Sequence, residues 1–185
     1  MKPTKQLHQE VIEQCKNNNA KSQIQLYNLY CKAMFLVAKR IVNDTFLAEE
    51  VMQKAFIKAF KNIDTYKNEV AFGAWLKKIV VNQSIDELKK KKFDFVDVNE
   101  KVIVAIDDED WQVEDSISIE DVKNAMTKLK EKYKLVVTLY LIEGYDHQEI
   151  SEILNITENT SRTHLLRGKI ELKELLQKEK YVTRY

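Results

Sequence analysis

Apolar residues recur at steps of three and four through most of the chain, a spacing that places them on one face of an α-helix. In the first half this period predicts a helix before the NNN break at 17–19 and three more over about 21–42, 46–63 and 72–92. Asn43-Asp44-Thr45 supplies a stop for the second helix and a cap for the third. The buried residues predicted for these two helices are Ile24, Tyr27, Cys31, Met34, Phe35, Ala38 and Ile41, then Val51, Ala55, Ala59 and Ile63 with Met52, Phe56 and Phe60 beside them.

The second half begins with a segment that has no helical period. Residues 93–115, FDFVDVNEKVIVAIDDEDWQVED, alternate apolar and acidic positions without glycine-marked turns, which favours an irregular linker over a short strand. Helices resume at about Ile119, with breaks near 130–132 and at 143–144. We therefore predict an all-α protein of two helical modules, 1–92 and 119–185, joined by an acidic linker at 93–118.

The charge distribution supports this division. The formal net charge of +1 conceals +8 over residues 1–92, −10 over 93–121 and +3 over the remainder. Such segregation suggests a basic front module, an acidic linker and a mildly basic tail module. The alternative is that the charge blocks are solvated helix faces without further meaning.

Composition excludes several classes of protein. No apolar run of about 18 residues is present and the N-terminus has no apolar signal core, so we expect a cytoplasmic protein without membrane insertion. Cys15 and Cys31 lack metal-binding spacing and are expected to be reduced thiols. His8, His147 and His164 are scattered and belong to no catalytic motif. We expect no enzymatic activity, no catalytic residue, no metal and no cofactor.

The stretch EISEILNITENTSRTHLLRG, 149–168, has the pattern of a helix-turn-helix. Asp146 and Glu149 form a capping box that begins its first helix, Asn155 suits the left-handed turn, and Thr157 can cap the second helix. This plan places the second helix in a DNA major groove, where Arg, Thr and Asn contact phosphates and base edges. An ordinary antiparallel helix hairpin is the alternative. The predicted DNA-contacting residues are Asn159, Thr160, Arg162, Thr163, His164, Arg167 and Lys169.

Three motifs together resemble those of the extracytoplasmic-function (group IV) sigma factors of the sigma-70 family. They are AEEVMQKAF at 48–56, FGAWLKKIVVNQSID at 72–86 and the helix-turn-helix stretch, and their order and spacing match the family across about 20–178. The departures are single residues. Glu50 replaces a usual Asp, Asn155 the usual turn Gly, Lys89 a frequent Arg, Ser151 and Gly168 a usual Ala, and Ser161 a frequent Val. We expect the loss of Val at 161 to weaken packing beneath the recognition helix.

The resemblance implies that the front module is sigma region 2, which docks on the clamp of core RNA polymerase and opens the minus-10 promoter element. The implied polymerase contacts are Asp44, Glu49, Glu50, Gln53 and Lys54. An unstacked base must be stacked and hydrogen-bonded to offset the free energy lost on melting. The implied residues are Tyr66, Asn68, Phe72, Asn82, Asp86, Lys89 and Lys90, with Lys91 and Lys92 beside them. Core packing is the alternative for Tyr66 and Phe72.

The resemblance also implies that the tail module is sigma region 4, which reads the minus-35 element as duplex DNA. The implied partners are core RNA polymerase, through its clamp and flap, promoter DNA and an anti-sigma factor. By the same analogy the acidic linker would thread through the positively charged interior of the polymerase. Because its charge repels DNA, the isolated chain should bind promoters poorly.

Two rival classes remain open from the residues alone. A two-domain helix-turn-helix repressor or response regulator would need an effector pocket or a phosphoacceptor domain, and residues 1–92 lack the alternating strands of a receiver. An interaction protein such as an anti-sigma factor would leave Arg162 and Arg167 unexplained. Co-purification with core polymerase discriminates a sigma factor from the repressor.

Overall fold

The computed structural model describes residues 8–90 and 117–182, with side chains up to residue 178. The described parts are helical and fall into two compact units divided at Phe93. The predicted all-α fold class is confirmed for these residues. Most of the predicted linker, together with Lys91 and Lys92, lies outside them.

The first unit contains four helices: α1 (Gln9–Lys16), α2 (Ala20–Val42), α3 (Thr45–Lys61) and α4 (Phe72–Lys90), with a 3-10 turn at Ile63–Thr65. Helices α2, α3 and α4 pack on one another, and α1 packs on α2. Each contributes apolar residues that are almost fully buried: Ile12 and Cys15 from α1, Leu26, Val37, Ala38 and Ile41 from α2, Val51, Ala55 and Phe56 from α3, and Leu76, Val80, Val81 and Ile85 from α4.

The caps between these helices follow the local sequence. Asn43 adopts a left-handed conformation, with φ of 52°, and ends α2. The carboxylate of the next residue, Asp44, accepts a hydrogen bond from the amide of Leu47 at 2.8 Å and so begins α3. Both roles were predicted, because Asn tolerates left-handed backbone and Asp is a preferred N-cap.

The predicted buried stripe of α2 is wrong at its first residue. Ile24 is 63% exposed, and Tyr27, Cys31 and Phe35 are only half-buried. The cause is non-local: α1 packs against the start of α2, where the Ser22 hydroxyl donates to Gln14 at 2.6 Å. The buried face of the first turns therefore rotates toward Ser22 and Leu26 and away from Ile24.

The second unit contains α5 (Ile119–Lys128), α6 (Glu131–Val137), which continues into a π-helical turn (Thr138–Ile142), α7 (His147–Leu154) and the long α8 (Glu158–Val182). Helices α5, α6 and α7 each pack on α8. At one end the core consists of Ala125, Leu129, Leu172 and Leu176. Toward the helix-turn-helix the buried residues include Val136, Val137, Leu139, Ile150, Leu154 and Leu165.

Gly168 permits a close crossing of α8 over α6. A Cβ atom added there would lie 2.5 Å from Cγ2 of Val137 and 3.3 Å from Cβ of Tyr133. An alanine there would therefore force Val137 or one of the two helices to shift. The departure at 168 is part of how this chain packs its second unit.

Candidate polymerase and promoter interfaces

The helix-turn-helix predicted at 146–168 is present. The Asp146 carboxylate accepts from the Glu149 amide at 2.8 Å, and the Glu149 carboxylate accepts from the Asp146 amide at 3.0 Å, which completes the capping box. Asn155 ends α7 in a left-handed conformation, with φ of 57°. The Thr157 hydroxyl then accepts from the Thr160 amide at 3.1 Å as α8 begins. The two helices and the turn between them therefore lie where the helix-turn-helix pattern predicts.

The start of α8 carries the residues predicted to contact DNA, and they differ in exposure. Asn159 and Arg162 are exposed, whereas Thr160, Thr163, Arg167 and Lys169 are half-buried. Glu158 pairs with Arg162 at 3.0 Å, so a DNA acceptor would have to displace this carboxylate. Arg167 donates to the hydroxyl of Tyr133 on α6 at 3.4 Å, which turns its guanidinium toward the body of the unit.

His164 does not lie on the exposed face, and the prediction that it faces DNA is wrong in this structure. Its side chain is 1% exposed, and its ring packs edge-on against Tyr133, with centroids 5.4 Å apart. The residue sits one turn beyond Thr160, where α8 already faces α6. We expected His164 to contact DNA because it is polar. Its burial follows from its position on the side of α8 that faces α6.

Ser161, where we expected weaker packing beneath the recognition helix, makes a polar contact instead of an apolar one. It is fully buried, and its hydroxyl lies 2.9 Å from Nδ1 of His147, the first residue of α7. The imidazole of His147 stacks on Tyr140, with centroids 4.7 Å apart and planes at 27°. These contacts join the π-helical turn, α7 and α8 through three side chains. A polar link thus replaces the apolar contact that a valine would make.

In the first unit, α3 presents the residues predicted to contact polymerase. Glu49, Glu50 and Gln53 are exposed on one side of the helix, and Asp44 is exposed at its start. Lys54 is only half-buried and reaches Glu50 on its own helix and Glu87 on α4.

Two apolar residues on the same side of α3 were missed by the sequence reasoning. Phe46 is 81% exposed and Ile57 is 56% exposed. They lie at steps of three, four and seven from the carboxylates, so they share the exposed face with them. The signal was available in the sequence, because both residues are out of phase with the buried stripe of α3. Phe46 and Ile57 therefore add exposed apolar area to the charged face of α3.

Tyr66 and Phe72 belong to the core, as the alternative reading held. Each is 2% exposed, and the two rings contact edge-on with centroids 5.3 Å apart. Trp75 and Tyr30 complete the cluster, and the Tyr66 hydroxyl donates to the carbonyl of Val70 at 2.7 Å. These two rings are therefore not available to stack an unpaired base in this structure. They anchor the loop at both ends.

The remaining predicted strand-contacting residues are accessible. Asn68 is exposed at the tip of the loop in a left-handed conformation, with φ of 59°. On α4, Asn82 is half-buried while Asp86, Lys89 and Lys90 are exposed, and their spacing places them on adjoining parts of the helix surface. Lys90 also pairs with Glu87 at 2.9 Å.

One helical unit has an exposed loop and a polar helix face and the other has a helix-turn-helix, which are features typical of a two-module nucleic-acid-binding protein. Sequence profiles identify the modules: Sigma-70 region 2 matches residues 26–93 and Sigma-70 region 4 matches residues 119–172. The chain therefore belongs to the sigma-70 family, and its relatives place it among the extracytoplasmic-function sigma factors.

Two of those relatives come from Bacillus subtilis strain 168. The chain is 29% identical to the ECF RNA polymerase sigma factor SigW over 177 residues, which cover 90% of this chain and 95% of SigW. It is 26% identical to the ECF RNA polymerase sigma factor SigM over 153 residues, covering 82% and 93% of the two chains.

A solved structure shares the fold. The sigma factor RpoE from Bartonella quintana, in complex with the anti-sigma factor NepR, superposes with a TM-score of 0.56 at 21% identity. The match covers 85% of this chain and 98% of RpoE.

Sigma factors are generally not enzymes, which agrees with the lack of a catalytic motif. Within residues 8–90 and 117–182, no helix is long and apolar enough to cross a bilayer. In the same ranges no cluster of three metal-binding side chains is present.

Proposed function

We propose that this chain directs core RNA polymerase to promoters by binding the polymerase through α3, opening the minus-10 element with α4 and its preceding loop, and reading the minus-35 element with α8. The observation that carries the proposal is the order of the two modules in one chain. Region 2 presents an exposed carboxylate-rich helix, and region 4 presents an exposed recognition helix. A repressor has no need of the first surface.

The docking surface consists of Glu49, Glu50 and Gln53, extended by the exposed Phe46 and Ile57. Carboxylates on an accessible helix face fit a basic partner surface, and apolar residues among them supply area to bury. Asp44 serves chiefly as the cap that begins α3. The polymerase clamp is the partner that the family assigns to this surface.

Strand opening is assigned to Asn68, Asn82, Asp86, Lys89 and Lys90. Asn amides both donate and accept at base edges, and lysines hold the phosphates of a separated strand. The buried Tyr66 and Phe72 take the indirect role of holding the loop that carries Asn68.

Reading of the minus-35 element is assigned to Asn159, Thr160, Arg162, Thr163, Arg167 and Lys169. Arg162 is exposed near the start of α8 and can pair with guanine once Glu158 is displaced. The chain itself performs no catalysis in this account, and it acts in the cytoplasm with the polymerase. An anti-sigma factor is a further proposed partner, because the similar RpoE is bound to one.

This proposal is tested by measuring polymerase assembly and promoter opening separately in variants of each surface. We expect Asn82→Ala to leave assembly with core polymerase within about twofold and to slow promoter opening by about tenfold, because one base contact is lost. The double variant Glu49→Ala/Glu50→Ala should weaken assembly by about tenfold, because two exposed charges at the docking surface are lost. Assembly is measured by fluorescence titration and opening by permanganate footprinting.

The wild-type chain provides the control for both variants. If it does not assemble with core polymerase, the chain is a different helix-turn-helix regulator and the proposal fails. Equal loss of assembly and opening in Asn82→Ala would remove Asn82 from the opening step.

A further inference from the structure

Four charged side chains form a network of ion pairs at the junction of α3 and α4: Glu50, Lys54, Glu87 and Lys90. Oε1 of Glu87 accepts from Lys90 at 2.9 Å, from Lys54 at 3.1 Å and from Gln83 at 3.4 Å. The Lys54 ammonium also pairs with Glu50 at 2.6 Å. The chain of contacts therefore runs from a proposed polymerase-docking residue to a proposed strand-holding residue.

Glu87, at the centre of this network, is buried, whereas its other members are accessible. The side chain of Glu87 is 10% exposed, compared with 41% for Lys54, 46% for Glu50 and 64% for Lys90. A carboxylate so enclosed needs nearby cations or hydrogen-bond donors to stay ionised. The hydrogen bond from Lys90, followed by that from Lys54, holds the pKa of Glu87 below its usual value despite burial.

Lys54 is the member of the network that crosses between helices. Its side chain lies at the edge of the exposed face of α3 and bonds to a residue 33 positions away on α4. Hydrogen bonds to Glu50 and then Glu87 raise the pKa of Lys54. The resemblance implied that Lys54 contacts polymerase, whereas its hydrogen bond to Glu87 joins it to α4.

We propose that Lys54 and Glu87 form a positioning pair that fixes the lysine-bearing end of α4 against α3. This inference rests on the proposed function, in which α3 docks on polymerase and α4 holds the opened strand. The last turns of α4 carry Asp86, Lys89 and Lys90, so the pair sets where these side chains stand when α3 is docked. Lys54 then contributes to promoter opening without touching polymerase or DNA.

A double-mutant cycle tests the pair. The variants are Lys54→Met, Glu87→Gln and their combination, with Lys58→Met as the matched control, because Lys58 is an exposed lysine one turn further along α3. Each is titrated with core polymerase for affinity, and the opening rate is then measured at saturating polymerase.

We expect both single variants to bind polymerase within about twofold of the wild type and to open promoters about five- to tenfold more slowly, the size of one charge-assisted link. The combined variant should open no more slowly than either single one, because both remove the same link. Lys54→Arg, which keeps the charge and the reach, should restore the opening rate, and Lys58→Met should behave as the wild type.

Three results would overturn the pair. Lys54→Met could weaken polymerase binding as much as the double variant Glu49→Ala/Glu50→Ala with an unchanged opening rate, which would make Lys54 a direct contact. The two single effects could multiply in the combined variant, which would make them independent. Finally, Lys54→Met and Glu87→Gln could both behave as the control Lys58→Met does, which would mean that the pair has no role in opening. In each case the wild type still assembles and opens promoters; its failure to do so would instead refute the proposed function.

Discussion

At the scale of single residues, polar side chains in the second unit serve packing as much as recognition. His147, Ser161 and Tyr140 connect three elements through one hydrogen bond and one stacked ring pair. Burial, followed by the positive charge of Arg162, lowers the pKa of His147 below its ordinary 6.5, with Lys169 acting in the same direction and Glu158 and Asp146 against it. The neutral imidazole is therefore the form that suits the folded unit.

This arrangement predicts a pH dependence of stability. Since the folded-state pKa of His147 lies below that of the unfolded chain, the unfolded chain takes up the proton more readily. Its contribution to the free energy of unfolding is present above about pH 6.5 and decreases as the pH falls below that value. We expect the wild type to lose more stability than His147→Asn between pH 7.5 and 5.5, measured by urea unfolding.

The comparison isolates one group, because the two proteins differ only at residue 147. Asn at 147 keeps a polar group near Ser161 without a titrating ring. Parallel losses of stability in the two proteins across this pH range would contradict the role given to His147.

Residue-scale predictions from the sequence succeeded where the cause was local and failed where it was not. The Asp146 box, the Asn155 turn and the Asp44 cap depend on neighbours within a few positions, and all three are present. The burial of His164 and the cross-helix bond of Lys54 depend on helices more than 30 positions away. No local pattern specifies those partners.

At the scale of elements, the placement of the recognition helix depends on how closely α8 crosses α6. Gly168 lies at this crossing, where an added Cβ would overlap Cγ2 of Val137. The sequence shows glycine at 168 where the family usually has alanine, but it does not show whether this difference affects packing. Only the packing of two helices distant in the chain shows what occupies the space beside it.

We therefore predict that Gly168→Ala destabilises the protein although alanine favours helices. Overpacking costs about 1–3 kcal/mol, and the gain in helix propensity returns about 1 kcal/mol. The expected net loss is about 1 kcal/mol in the free energy of unfolding, measured by urea denaturation. The matched control is Glu174→Ala on an exposed position of α8, which should change stability by less than about 0.5 kcal/mol. An alanine at 168 that stabilises the protein would contradict the close crossing.

At the scale of the whole molecule, charge separates along the chain in the order basic, acidic, mildly basic. The acidic residues 93–116 lie outside the described structure, so their path through the polymerase remains a prediction. Their charge alone predicts that the isolated chain binds promoter DNA weakly, because an anionic segment next to two DNA-binding modules repels phosphates.

Neutralising part of that segment tests whether its negative charge weakens DNA binding by the isolated chain, an effect called masking below. We expect the variant D107N/D108N/E109Q/D110N to bind promoter DNA about tenfold more tightly than the wild type in the absence of polymerase. The measurement is fluorescence anisotropy at physiological salt, repeated at several salt concentrations. Tight binding by the wild type itself, at nanomolar affinity, would contradict masking.

The most direct test of the central claim is transcription from genomic DNA by core polymerase with and without this chain. The account predicts new start sites that appear only with the chain and share two sequence motifs, one near minus 10 and one near minus 35. An Arg162→Ala variant should lose selectivity at the upstream motif while still assembling with the polymerase. Start sites that are unchanged by adding the chain would contradict the claim that it supplies promoter specificity.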